Sequence, residues 1–134
     1  MNKLQGKVTA TQTEGNLTLV DIDCQGTPLK TIVIETQDTC DYLEKNTDVE
    51  VLFKETEVSI STERLTSISL RNQIPCQITR MVKGKILSQI DLVFGNAQLK
   101  SIITTQAVLD LELKIGQQVY SLIKTNELMI NKPK

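Results

Sequence analysis

An internal repeat is the feature of this sequence that most limits what the chain can fold into. Residues 4–60 align with residues 74–130 without a gap when the chain is shifted by 70 positions. Hydrophobic residues keep the same phase throughout, and identical pairs include Thr9/Thr79, Leu17/Leu87, Asp21/Asp91, Leu29/Leu99, Lys30/Lys100, Ile32/Ile102, Leu43/Leu113, Val49/Val119, Leu52/Leu122, Lys54/Lys124, Glu57/Glu127 and Ile60/Ile130. Such a register indicates two tandem copies of one small unit. Units of about 65 residues have small cores and usually depend on each other or on further subunits.

Alternation of apolar and polar residues predicts strands within each unit. Val20, Ile22 and Cys24 alternate with polar residues, and the same phase recurs in the second copy. This period of two is typical of a half-buried strand. Further short apolar runs predict strands at 29–35, 49–54 and 57–60, and at 99–104, 119–124 and 127–130. Because only 3% of the residues are aromatic and Trp is absent, the core is expected to be aliphatic.

One segment of each unit breaks the strand pattern, at residues 36–45 and 105–114. Ala107, Val108, Leu111 and Ile115 recur at helical spacing, and Gly116 or Asn46 could end the helix. Five strands with a helix between the third and fourth is the order of an OB-type barrel. We therefore predict a mainly β chain of two tandem OB-like five-stranded barrels, each with one short helix, at 1–62 and 67–134. The linker has no Pro or Gly run, so docked barrels are expected.

The cysteine and histidine content argues against a metal centre. The three cysteines, Cys24, Cys40 and Cys76, are far apart, and histidine is absent. A zinc-type site needs closely spaced thiols or imidazoles, and scattered cysteines suit free thiols in a reducing cytoplasm. No apolar run approaches the roughly 20 residues that span a bilayer, and no signal-peptide pattern opens the chain. A cytoplasmic protein without a membrane segment is expected.

The charge and the residue types also narrow the range of functions expected for this chain. The net charge of −1, the absence of Trp and only four Tyr and Phe residues disfavour single-strand nucleic-acid binding. Residues 1–65 carry 6 basic and 12 acidic side chains (net −6), whereas residues 66–134 carry 9 and 4 (net +5). The asymmetry is either incidental or a sign that the second unit handles an anion. With no His and no recognisable carboxylate pair, catalytic candidates are lacking, so an enzyme is not expected.

The second unit opens with the segment Ser69-Leu70-Arg71-Asn72-Gln73. This segment resembles the Ser-Ala-Arg-Asn-Gln signature of the Mop/TOBE proteins, the di-domain molbindins, at four of five positions. Further family landmarks follow in order at residues 103–106, 111–116, 122–124, Glu127 and 129–130. The resemblance covers residues 67–132 and, more weakly, 4–62.

The resemblance implies binding of a tetrahedral oxyanion, molybdate or tungstate, with no protein-ligated metal cation and no other cofactor. The implied oxyanion-binding residues are Ser69, Leu70, Arg71, Asn72, Thr104 and Lys124, with Lys54 as a further candidate. Arg71 would present a planar fork to two oxygens and Lys124 a compact charge, so that together they neutralise a dianion. Ser69 and Thr104 would add hydroxyl donors, and main-chain N–H groups near Ser69–Asn72 could add more.

The chain departs from the family pattern at several positions. Leu70 replaces a small Ala, and Ala107 stands where a Ser is common. In the first unit, Arg71 corresponds to Met1 and Thr104 to Ile34, with Glu35 beside it. An aliphatic residue and a carboxylate do not suit an anion, so the first unit is interpreted as a scaffold with a degenerate site. This unit could still contribute Lys54 to a composite site.

Three roles remain open at this point. A stand-alone storage or buffering protein comes first. The effector domain of a molybdate-responsive transcription regulator, or a transporter accessory, comes second, although the sequence offers no helix-turn-helix for DNA. A nucleic-acid-binding barrel is the least supported. By the same resemblance we expect a homo-oligomer, a trimer first and a dimer second, in which Arg71 and Lys124 of different chains share one ligand.

Overall fold

The computed structural model describes residues 1–34 and 43–132. Two five-stranded antiparallel sheets and one short helix make up this part of the chain. The strands are β1 (Asn2–Glu14), β2 (Leu17–Cys24), β3 (Thr27–Val33), β4 (Asp48–Phe53), β5 (Ser59–Ser61), β6 (Asn72–Lys83), β7 (Leu87–Phe94), β8 (Ala97–Thr104), β9 (Gln118–Ile123) and β10 (Met129–Asn131), and the helix is α1 (Thr105–Asp110). The prediction of a mainly β chain with two five-stranded units is confirmed.

The predicted alternation explains which side chains form the core. Val20, Ile22 and Cys24 in β2 are buried while their neighbours are not, and β7 repeats this pattern with Ile90 and Leu92. The core is aliphatic apart from two buried phenylalanines, Phe53 and Phe94, and two buried cysteines, Cys24 and Cys76. Both sheets carry a bulge at the same place in the repeat, at Val8/Ala10 in β1 and at Ile78/Arg80 in β6. The two copies therefore share packing and local irregularities alike.

The helix α1 is shorter than the sequence suggested. It begins after Thr104, whose hydroxyl accepts a hydrogen bond from the N–H of Ala107 at 3.1 Å, and it ends at Asp110. Glu112 has a φ of 52°, which stops the helical backbone well before Gly116. The helix predicted in the first unit, at 36–45, lies mostly outside the described residues.

The two halves exchange their last strands. The first sheet has the order β10-β4-β1-β2-β3, so its edge strand β10 comes from the end of the chain. The second sheet has the order β5-β9-β6-β7-β8, so β5 comes from the first repeat. The predicted boundaries at residues 62 and 67 stay a prediction, because each sheet contains a strand from both repeats.

Two asparagines at equivalent positions of the repeat also join the halves. The Asn72 side chain accepts a hydrogen bond from the Lys30 N–H at 2.7 Å and donates one to the Lys30 carbonyl at 2.8 Å. Asn2 makes the same pair of bonds with Lys100, both at 2.8 Å. Each amide therefore acts like a one-residue strand on the outer edge of β3 or β8. We call each of these amide–main-chain pairs a clamp. Because the clamp of Asn72 on Lys30 and the clamp of Asn2 on Lys100 are equivalent, the halves are related by a local twofold axis.

Two buried hydroxyl groups follow the same local symmetry. The Ser101 hydroxyl donates to the Val58 carbonyl at 2.7 Å, and its repeat counterpart Thr31 donates to the Leu128 carbonyl. Each hydroxyl holds the 3-10 turn that precedes an exchanged strand, at Glu55–Glu57 or at Thr125–Glu127. As a result β8 packs on the turn after Lys54, and β3 packs on the turn after Lys124.

Candidate functional site

A cavity of about 460 Å³ lies where the loop before β6 meets the turn after β9. Its lining residues are Ile32, Ile68, Ser69, Leu70, Lys124, Thr125 and Asn126. Three of the residues implied by the sequence, Ser69, Leu70 and Lys124, are thus brought together. Ile32 comes from the first half of the chain, so both halves form this cavity.

Lys124 supplies the positive charge of this cavity. It follows the last residue of β9 and begins the 3-10 turn, where its carbonyl accepts a hydrogen bond from the N–H of Glu127 at 3.0 Å. The residues around it in the cavity are polar donors or aliphatic, and the lining contains no carboxylate. A single ammonium group beside hydroxyl and amide groups favours an anion over a cation.

Arg71 lies on the other side of the same loop. Its guanidinium donates to the Ile68 carbonyl, and it lines a second cavity of about 430 Å³ with Arg64 and Lys30. That second cavity also contains Asp21, whose carboxylate is paired with Lys30. Within one chain, Arg71 and Lys124 therefore line different cavities. Arg71 is linked to the first cavity through its bond to the carbonyl of Ile68, which lines that cavity.

Asn72 is completely buried, with none of its surface exposed. Its side-chain oxygen and nitrogen are both engaged by the main chain of Lys30. The side chain is therefore occupied by the clamp between the halves. Sequence reasoning did not predict this partner, because Lys30 is remote from Asn72 in the sequence.

The local twofold axis places Thr104 and Lys54 away from Lys124. Thr104 ends β8, and β8 packs on the turn that follows Lys54. Next to Lys124 the corresponding strand is β3, where the counterpart of Thr104 is the exposed Ile34. Of the candidate residues, only Ser69, Leu70 and Lys124 line this cavity, and Thr104 and Lys54 do not.

Glu55 distinguishes the Lys54 side from the Lys124 side. It occupies the position that Thr125 has in the second repeat, and its carboxylate forms an ion pair with the amino group of Met1. A hydrogen bond from that amino group, and to a lesser extent the charge of Lys100, lower the pKa of Glu55. A carboxylate that stays ionised beside Lys54 opposes anion binding there.

Sequence reasoning missed Ile32, Thr125, Asn126 and Glu55 as site residues. The gapless repeat carried a signal for part of this, since Lys124-Thr125-Asn126 replaces Lys54-Glu55-Thr56. The sequence carried no signal for Ile32, because this residue is apolar and identical to its repeat counterpart. Within residues 1–34 and 43–132, no group of three His, Cys, Asp or Glu residues could hold a metal ion. None of the helices described there is long and apolar enough to cross a membrane.

The fold and the cavity define a tandem-repeat β protein with a pocket formed by both halves and lined by polar donors and aliphatic side chains. The chain belongs to the TOBE domain family, whose model matches residues 68–130. It is 32% identical over 65 residues to molybdenum-pterin-binding protein 3 of Clostridium pasteurianum, covering 48% of this chain and 96% of that protein. Molybdenum-pterin-binding protein 1 of the same organism is 34% identical over 65 residues, with the same coverage.

The fold of the whole chain resembles one solved structure closely. That structure is described as the cytoplasmic molybdate-binding protein ModG with molybdate bound. The TM-score is 0.87 at 23% sequence identity, and the match covers 98% of this chain and 96% of the other. Both repeats, including the exchanged strands, are therefore part of a known two-unit fold.

Proposed function

We propose that this chain binds molybdate or tungstate in the cavity beside Lys124 and serves as a cytoplasmic store or buffer of the oxyanion. The observation that carries the proposal is the meeting of Ser69, Lys124, Thr125 and Asn126 around one cavity without a carboxylate. The names of the relatives, which bind molybdenum-pterin or molybdate, support the choice of ligand. We infer a binding protein and not an enzyme, since the cavity residues supply hydrogen-bond donors and one charge.

The chemistry of the cavity suits a full dianion. A buried oxyanion loses its hydration, and hydrogen bonds with opposite charge must replace it. The hydroxyls of Ser69 and Thr125, the Asn126 amide and the Lys124 ammonium can all donate. Phosphate carries a proton at neutral pH, and accepting that proton would occupy a hydroxyl or amide group that could otherwise donate to the anion, so phosphate should bind less well than molybdate. Sulfate differs mainly in size, so its rejection requires a cavity of fixed width.

The cavity is also larger than one oxyanion needs, which supports a role for a second copy of the chain. A volume of about 460 Å³ is in the range of pockets for drug-sized ligands. Aliphatic side chains that line it are exposed, at 45% for Ile32 and 39% for Ile68. We propose a homo-oligomer, a trimer first and a dimer second, in which Arg71 of a neighbouring copy approaches Lys124 and adds the second positive charge.

Calorimetric titration with molybdate, tungstate and sulfate tests the ligand. We expect saturable binding of molybdate and tungstate with similar affinity, and binding of sulfate that is at least tenfold weaker, since each factor of ten corresponds to about 1.4 kcal/mol. Equal affinity for sulfate would contradict a cavity of fixed width, and no molybdate binding would refute the function.

Light scattering and thermal melting test the assembly. Because a ligand that binds only the assembled state stabilises it by mass action, molybdate should raise the melting temperature by an amount that depends on protein concentration. A 15.0 kDa monomer that still binds molybdate tightly would place the complete site within one chain.

A further inference from the structure

The outer edge of β3 borders the cavity that contains Lys124. β3 is the edge strand of the first sheet, with β2 as its neighbour. A sheet edge presents main-chain N–H and C=O groups that have no partner within the sheet. At Lys30 both groups bind the Asn72 side chain, which shows that the main chain of Lys30 points away from β2.

The register of β3 fixes where the N–H of Ile32 points. β2 and β3 pair without a bulge from Thr18↔Val33 to Cys24↔Thr27. In an antiparallel pair, successive residues alternate between facing the partner strand and facing away from it. Ile32 is two residues beyond Lys30, so its N–H and carbonyl also point outward. No described residue forms a hydrogen bond with that N–H.

Ile32 lines two cavities, one next to its side chain and the other next to its main chain. One cavity lies on the outer face of the first sheet, with Leu17 and Leu19. The other contains Ser69 and Lys124. Side chains stand roughly perpendicular to a sheet, whereas N–H groups lie in its plane. The isoleucine side chain therefore belongs to the outer face, and the edge of the strand faces Lys124.

We propose that the main-chain N–H of Ile32 donates a hydrogen bond to the oxyanion bound beside Lys124. This proposal rests on the proposed function and adds a ligand-binding group from the first repeat. Within one chain the cavity offers a single ammonium group, so neutral donors that are already oriented contribute strongly. Asn72 assists by engaging the Lys30 carbonyl, which otherwise would lie beside the Ile32 N–H and repel an anion. Asn72 is thus a positioning residue.

Replacing the residue 32 amide by an ester tests the proposal. The ester keeps the isoleucine side chain and removes the N–H, and it slightly weakens the Thr31 carbonyl as an acceptor, an effect that an ester at residue 102 shares at the Ser101 carbonyl. Ile32→Pro removes the same N–H at an edge position where proline is tolerated. We expect molybdate affinity to fall by about ten- to a hundredfold, as for loss of a hydrogen bond to a charged group. The melting temperature without ligand should change little, because the outward N–H makes no bond within the sheet.

Ile102 provides the matched control. It occupies the equivalent outer edge of β8, where Asn2 holds Lys100 as Asn72 holds Lys30. The ester at residue 102 should leave molybdate affinity unchanged, because that edge faces Lys54 and Glu55. In ¹⁵N-labelled protein, molybdate should shift the amide resonance of Ile32 downfield and leave that of Ile102 in place.

The outcomes separate this proposal from the proposed function. If the unmodified protein does not bind molybdate, the function itself is refuted. If the unmodified protein binds molybdate and the ester at residue 32 binds it equally well, the function stands and the role of the Ile32 N–H is refuted. Equal losses at residues 32 and 102 would also refute it, since they would show a general effect on the sheets.

Discussion

Replacing Lys124 by methionine should weaken molybdate binding about 30-fold. Methionine keeps most of the length of the side chain and removes the charge. Two unit charges 4 Å apart interact by about 1 kcal/mol in water, so a dianion doubles this to about 2 kcal/mol. The value for water applies because the Lys124 side chain is exposed. Since about 1.4 kcal/mol corresponds to a factor of ten, the dissociation constant should rise roughly 30-fold.

The repeat supplies the control for this substitution. Lys54 has the same position at the end of β4, but Glu55 follows it where Thr125 follows Lys124. Lys54→Met should therefore change the molybdate affinity by less than threefold, which corresponds to a free-energy difference on the order of thermal energy. Both variants should keep the parent melting temperature without ligand, because both side chains are exposed.

Calorimetry at low and physiological ionic strength measures the effect. Salt shortens the range of charge interactions from about 30 Å at 0.01 M to about 8 Å at 0.15 M, so the loss caused by Lys124→Met should be smaller at the higher salt concentration. A loss below threefold at low salt would show that Lys124 does not contact the anion. Equal losses for Lys54→Met and Lys124→Met would show that both repeats contribute to composite sites.

Three further outcomes are expected. Arg71→Ala should weaken molybdate binding about a hundredfold, because the site loses the second positive charge brought by a neighbouring copy as well as the bond to the Ile68 carbonyl; a calorimetric loss of about tenfold or less would show that the guanidinium only supports the loop. Asn72→Ala should lower the free energy of unfolding in urea by roughly 2–4 kcal/mol, because two main-chain groups of Lys30 lose their partner; an unchanged midpoint would refute the clamp. Burial raises the pKa of the Cys24 thiol from 9.0 to about 12, so its neutral form contributes stability fully below pH 9, and this contribution is lost as the pH rises towards 12. Cys24→Ala should reduce this alkaline loss of stability in denaturant titrations, and an unchanged pH dependence would assign it to other groups.

The strands were predictable from the sequence because the apolar period of two is a local signal. Val20, Ile22 and Cys24 are buried as the alternation requires. The exchange of β5 and β10 was not predictable, since the two strands are repeat equivalents and either could complete either sheet. Which sheet each one joins depends on the path of the linker and on contacts between remote residues, which a local pattern does not contain.

The candidate site was predictable to the extent that its residues are close in the sequence or fixed by the repeat. Ser69 and Lys124 do meet at one cavity. Thr104 does not line this cavity, because the local twofold axis brings each third strand against the turn of the other repeat. The edge of β3 could not be recognised as part of the site, since a main-chain N–H leaves no trace in residue identity.

Because the two repeats that exchange strands belong to one chain, the exchange is an intramolecular step of folding. A protein with one repeat can exchange a strand only with a second molecule, so its folded state depends on dilution. When two repeats are joined in one chain, each repeat meets its partner at an effective concentration on the order of millimolar for a short linker. The encounter of two separate molecules is then not needed. Neither sheet can lose its edge strand alone, because β5 and β10 anchor the opposite halves. The two repeats should therefore unfold together in one cooperative transition, with a midpoint that in the ligand-free monomer does not depend on protein concentration.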